Sequence, residues 1–249
     1  MYQLAKEYSQ YQEITVYEAN QLFGRIGKYR FLQFSEHAVQ GAMDMKDPKR
    51  IVLEYPRAII HLMEMNGPSF EHVFMIGHGI GTIANHFSKK QFRIAEIDEK
   101  VLELSRMYFE YVMDNVVIGD GAELLKNEGA NRFDYIILDA FTEAGTPHHM
   151  TTLQFFRMTR DKLKAGGLII INLFGKTNND HLINAIYTTL KEIYMYTRAF
   201  SLPGGDASDI RNMIVIASNR VIEAELRSMA GFVEIELALG HIIMSEFVE

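Results

Sequence analysis

From residue 68 onward, short apolar runs alternate with longer stretches in which apolar residues recur every three or four positions. The runs Val73–Ile76, Phe92–Ile97, Val116–Ile118, Tyr135–Leu138 and Leu168–Leu173 predict strands, the last buried on both faces because its apolar run is unbroken. Between them, Ile83, Ala84 and Phe87 mark one helix. Val101, Leu104, Ser105 and Tyr108 share a face of another, with Asp98 placed as its N-cap. Two more helices are predicted, from about Thr152 to Leu163, stopping at Gly166-Gly167, and from about Asp180 to Ile193. Strands near Thr197–Leu202 and Met213–Ala217, joined without a helix, predict an antiparallel edge hairpin on an otherwise parallel sheet covered on both faces. The stretch after Asn219 alternates apolar and acidic residues and receives no assignment.

Before Asn66-Gly67-Pro68 the pattern changes. Ile14–Val16 and Tyr29–Phe34 read as strands with a glycine turn at Gly24–Gly27 between them. Tyr55 to Met65 reads as a helix with Ile59, Ile60 and Met63 on one face. The chain therefore divides into a β-rich N-terminal region with a linking helix, residues 1–65, and an α/β domain, residues 66–249.

Composition narrows the function. Of 249 residues, 48% are hydrophobic, enough for a sizeable core, and the net charge of −7 argues against a surface for DNA or RNA. The absence of cysteine removes thiolate nucleophiles and Cys-ligated metals. The N-terminal stretch is too polar for a signal peptide and no apolar run reaches transmembrane length, so a soluble, cytoplasmic protein with no membrane partner is expected.

In an open parallel sheet, ligands bind beyond the carboxyl ends of the strands. Four features fall there: the turn Gly77-His78-Gly79-Ile80-Gly81, the acids Glu96 and Asp98, Asp120 with Gly121, and Asp139. Glycines at 77, 79 and 81 let backbone amides approach a ligand, although such a turn alone is equally a tight connection. Glu96 lies about 20 residues past Gly77, the separation at which an acid accepts from ribose hydroxyls. A dinucleotide site would want a third glycine where Thr82 stands, and no P-loop is present, so a single adenosine fits better. Asp120 is placed to accept from an adenine amino group, to cap the following helix, or both. Asp139, ending the apolar strand YIIL, is either a loop cap or the carboxylate that takes a proton from a nucleophilic amine. The loop Phe141–Met150 reads as a lid, and its neighbouring His148 and His149 point in different directions, so no metal is expected there.

The motifs RFLQFSEHAVQGAM, LEYPRAIIHL, FMIGHGIGT, AEIDEKVLELSRMYF, VIGDGAELL, YIILDAF and LKAGGLIII together resemble the spermidine synthases, aminopropyltransferases related to class I methyltransferases. The resemblance runs from about Tyr29 to Ala217. It implies a Rossmann-like class I methyltransferase fold, an N-terminal β-hairpin domain, and a homodimer or homotetramer. It implies S-adenosylmethionine or its decarboxylated form as co-substrate and a small-molecule acceptor. By position, Gln40 corresponds to a glutamine near the nucleoside, Tyr55 to a tyrosine of the substrate cleft, Glu96 to the ribose acid, Asp120 and Gly121 to the adenine contacts, and Asp139 to the base.

Three positions depart from the family pattern. Ile80 stands where an aspartate holds the aminopropyl ammonium, Thr142 where a second loop aspartate is usual, and Arg57 where a glutamate binds the amine. Three readings remain open on these grounds: a spermidine-synthase-like transferase, a methyltransferase on a small or anionic acceptor, and a non-catalytic nucleoside-binding homologue.

Overall fold

A computed structural model describes residues 1–34, 39–141, 145–206 and 209–245. Its first sheet is an antiparallel meander of β1 (Tyr2–Tyr8), β2 (Glu13–Leu22), β3 (Arg25–Phe34) and β4 (Val39–Asp44) in sequential order. The two strands expected from the sequence are β2 and β3, both longer than their apolar centres. Their connection is tighter than the expected Gly24–Gly27 turn: Phe23 and Gly24, at φ 48° and 75°, form a two-residue turn of the kind that matches strand twist. Strand β1 left no pattern to read, because none of its residues is buried.

The linking helix α1 (Glu54–Asn66) buries Ile59, Ile60 and Met63 as the periodicity requires. The α/β region follows as β5 (His72–Ile76), α2 (Thr82–His86), β6 (Gln91–Glu96), α3 (Glu99–Tyr108), β7 (Val116–Ile118), α4 (Gly121–Lys126), β8 (Phe133–Leu138), α5 (Leu153–Lys162), β9 (Leu163–Gly175), α6 (His181–Lys191), β10 (Tyr196–Ser201), β11 (Arg211–Ser218) and β12 (Val233–Ile235). These strands form one sheet in the order β12-β10-β11-β9-β8-β5-β6-β7 among the described residues. Strands β5 to β9 pair in parallel, and β9, β11, β10 and β12 pair antiparallel. The fold is thus the α/β class expected, a mainly parallel sheet with an antiparallel end.

Helix α5 keeps its expected span within one residue at each end: Leu163 already pairs with Phe133, and Gly166-Gly167 lie beyond the helix in an irregularity of β9. One detail differs from the expected pattern. The hairpin of β10 and β11 lies one strand in from the edge, since β12 from the unassigned C-terminal stretch pairs with β10.

One face of the large sheet packs Phe74, Ile136, Leu138, Ile169 and Ile171 against Phe156, Ile186 and Leu190 of α5 and α6. The opposite face packs Val73, Met75, Ile137 and Ile170 against Ile59, Leu62 and Met63 of α1. A third cluster joins the two sheets: Ile14, Val16, Leu32 and Met43 meet Ile80 and the α3 region residues Val101, Leu104 and Phe109. Polar bonds reinforce this joint, Ser9 Oγ donating to Asp98 and Arg30 to the Tyr108 carbonyl. Among the described residues, no helix is long and apolar enough to cross a membrane.

Candidate active site

Strand β5 has β6 on one side and β8 on the other, so successive connections leave it in opposite directions and open a crevice at the carboxyl ends. The glycine turn occupies that point. Gly77, at φ 96°, lies so close to β8 that a Cβ would come within 1.9 Å of the Asp139 carbonyl oxygen. Gly81, at φ 79°, would drive a Cβ to 2.2 Å from the Tyr111 ring. Gly79 faces the Gln40 carbonyl, bringing β4 of the first sheet over the turn.

Two side chains of the turn point into protein. His78 is 3% exposed and packs edge-on against Tyr111. Its Nε2 lies 2.8 Å from Ser105 Oγ, whose own proton goes to the Leu102 carbonyl, so the imidazole nitrogen is the donor. Burial, aided by the Arg106 cation, pushes His78 down to about 4. Ile80 is buried in the apolar joint between the sheets, against Gly41. A residue so placed serves packing, worth about 1.5–3 kcal/mol for a large aliphatic side chain, and offers nothing to a cation.

At the end of β6, Glu96 is 8% exposed. It accepts from the His78 and Asp98 backbone amides at 2.8 and 3.0 Å. Burial raises it to about 6, and those amide bonds oppose the rise. Asp98 caps α3 through the Lys100 amide, as its sequence position suggested. At the end of β7, Asp120 caps α4 with one oxygen, accepting from the Ala122 and Glu123 amides at 2.9 and 3.0 Å. Its other oxygen accepts from His149 Nε2 at 2.9 Å. Gly121 is buried, and a Cβ there would meet Ile76 at 2.4 Å. Ile97 and Ile118, 44% and 41% exposed, stand at the ends of these two neighbouring strands.

Across the glycine turn, Asp139 accepts from Asn172 Nδ2 at 2.9 Å, and the Asn172 side-chain oxygen accepts from Asn212 Nδ2 at 3.1 Å. The Tyr55 hydroxyl reaches Asp139 from the first turn of α1 and lies 3.3 Å from the Gln40 carbonyl. Removal from water raises Asp139 to about 6, while the bonds from Asn172 and Tyr55 act the other way. Tyr55 itself is held well above the usual phenol range, by burial first and then by the Asp139 charge. Asp139, Tyr55 and Gln40 are therefore gathered beside Gly77 and Gly79.

Arg57 is turned to other partners. Its guanidinium pairs with Glu54 at 3.2 Å and donates to the Leu53 carbonyl at 3.3 Å, since positions two apart on a helix face different ways. Thr142 lies outside the described residues. Among those described, no cluster of three or more His, Asp or Glu is arranged to hold a metal ion.

Two polar residues of the site escaped the sequence reading. Asn172 interrupts an apolar strand, and that lone polar residue in LIIINLF was the available signal. His149 is weighed in the sequence only as a metal ligand, although it lies in the loop after Asp139.

A family model described as "Spermine/spermidine synthase domain" matches residues 52–204. The chain is 27% identical over 202 residues to a polyamine aminopropyltransferase of Vibrio vulnificus, covering 76% of this chain and 65% of the relative. It is 28% identical over 151 residues to putrescine N-methyltransferase 2 of Nicotiana attenuata, covering 56% of this chain and 41% of the relative. In both cases it spans less than two thirds of the relative's length. The crystal structure of a probable spermidine synthase from Corynebacterium glutamicum superposes with a TM-score of 0.84 at 15% identity, covering 98% of each chain.

Proposed function

The chain belongs to the spermine/spermidine synthase domain family, and on that footing we propose that it transfers an alkyl group from an adenosyl sulfonium to an amine. The observation that carries this reading is Asp139, raised to about 6 and set beside the glycine turn with Tyr55 and Asn172 on its carboxylate. A neutral amine attacks the carbon next to sulfur, a C–N bond forms, the C–S bond breaks, and the thioether leaves. Asp139 receives the proton that the new ammonium sheds and stabilises its charge beforehand. Glu96 holds the ribose, and Asp120 with the Gly121 backbone faces the adenine. S-adenosylmethionine or its decarboxylated form is the co-substrate on this reading, and no metal takes part.

The donor decides between two versions. Decarboxylated S-adenosylmethionine yields an aminopropyl product and methylthioadenosine, the reaction named for the Vibrio relative. Intact S-adenosylmethionine yields a methylated acceptor and S-adenosylhomocysteine. Burial of Ile80 favours the second version, because the turn presents no carboxylate to an aminopropyl ammonium, and a putrescine N-methyltransferase is among the relatives. Incubation with each nucleoside and a panel of amines, read by mass spectrometry, tests both: methylthioadenosine supports the first and S-adenosylhomocysteine the second. Bound nucleoside with neither product would leave a non-catalytic binding protein.

A further inference from the structure

We propose that His149 reads the edge of the nucleobase together with Asp120. The inference rests on the reading of the crevice as an adenosine site and adds a recognition residue to it. Asp120 has one oxygen committed to the cap of α4, so a single oxygen remains for a ligand. That oxygen lies 2.9 Å from His149 Nε2, and a carboxylate only accepts, so the imidazole nitrogen carries the proton. An acceptor and a donor therefore stand side by side, and both side chains are open to solvent, at 30% and 54% exposure. Their pattern complements a base edge that presents an exocyclic amino group next to an unprotonated ring nitrogen, as the Watson–Crick edge of adenine does and that of hypoxanthine, whose ring nitrogen there carries a proton, does not. The amino group donates to Asp120, and the His149 N–H turns from the carboxylate to the ring nitrogen.

His149 is held from behind for this task. Its neighbour Met150 is 3% exposed in the main core. Thr151 Oγ1 donates to the His148 carbonyl at 2.8 Å, and Thr152 Oγ1 to the His149 carbonyl at 3.4 Å. The backbone is thus pinned while the imidazole projects outward. Ile97 and Ile118 are exposed apolar residues at the carboxyl ends of β6 and β7, the same end of the strands as Asp120.

Calorimetric binding of 5′-methylthioadenosine and 5′-methylthioinosine to the full chain tests the assignment. Inosine replaces the amino donor with a carbonyl acceptor, so wild type should prefer the adenosine compound. His149→Ala should weaken methylthioadenosine about five- to tenfold, the loss of one hydrogen bond, and affect methylthioinosine less. His149→Gln, which keeps an N–H at similar reach, should recover most of the discrimination. His149 is exposed, so thermal melts of all variants should match wild type. An unchanged preference in His149→Ala, or tighter binding because the imidazole merely blocked Asp120, overturns the role of His149 and leaves the adenosine pocket standing. Failure of wild type to bind either compound overturns the pocket and this proposal with it.

Discussion

Glu96 and Asp139 end neighbouring regions of one sheet, and burial raises both to about 6, yet they are held in different ways. Glu96 accepts from two backbone amides whose positions are set by the glycine turn and by the start of α3. Asp139 accepts from two side chains, Asn172 and Tyr55, and the Tyr55 hydroxyl has the Gln40 carbonyl as a second acceptor nearby. Backbone donors cannot turn away, so Glu96 is suited to hold a ligand in a fixed geometry. Side-chain donors can, so Asp139 can gain and lose a proton without leaving a buried group unpaired. The same elevation thus accompanies two jobs, and the type of donor tells them apart.

The sharpest way to break this comparison is to neutralise each acid in turn. Asp139→Asn should lower kcat about 10²- to 10⁴-fold, as expected for loss of a general base, with nucleoside binding little changed. Calorimetry and steady-state kinetics on the same preparation check both halves. Glu96→Gln should act the other way, weakening nucleoside binding about 10- to 100-fold, because an amide must also set its NH2 against one of two backbone N–H groups. If Glu96→Gln instead abolished turnover with normal binding, the two roles would be exchanged.

Smaller effects refine the picture. The rate should fall as pH drops through about 6, where Asp139 becomes protonated and can no longer accept. Asn172→Ala removes a bond that favours the carboxylate, so the midpoint should move upward and kcat at pH 7 should fall a few-fold; a pH–rate series on both proteins reads the shift. The smallest effect is on stability. Both acids bind protons more tightly folded than unfolded, their ordinary values being 4.5 and 3.8. Their contribution is therefore full below those values and is lost as pH rises through about 6. Asp139→Asn should flatten that decline and raise Tm at pH 8 by about 1–3 °C relative to wild type.

Strand ends were the legible part of the site. Glu96, Asp120 and Asp139 each follow an apolar run, so chain pattern alone placed them on one rim. Asp98 and Asp120 also fulfil the capping roles read for them. Asn172 was hidden because it sits inside a strand whose neighbours are all core, and only the pairing of β9 with β8 and β11 brings it to Asp139 and Asn212. His149 was hidden for a different reason: its partner is 29 residues away across a loop, beyond the reach of periodicity. In the N-terminal region, β2 and β3 showed themselves through buried centres. The first strand, lacking any buried residue, could be found only through its pairing with β2.

The seating of Ile80 also constrains how this chain can change. A Cβ on Gly41 would come within 2.6 Å of the isoleucine side chain, so the two positions are locked as a pair. An aspartate substituted at 80 would stand among Ile14, Val16, Leu32, Met43, Val101, Leu104 and Phe109. An uncompensated charge there would cost several kcal/mol before any amine could reward it. The apolar contacts between the two sheets therefore fix what the turn can present to a ligand, and an Ile80→Asp change alone unsettles the joint before it alters the site.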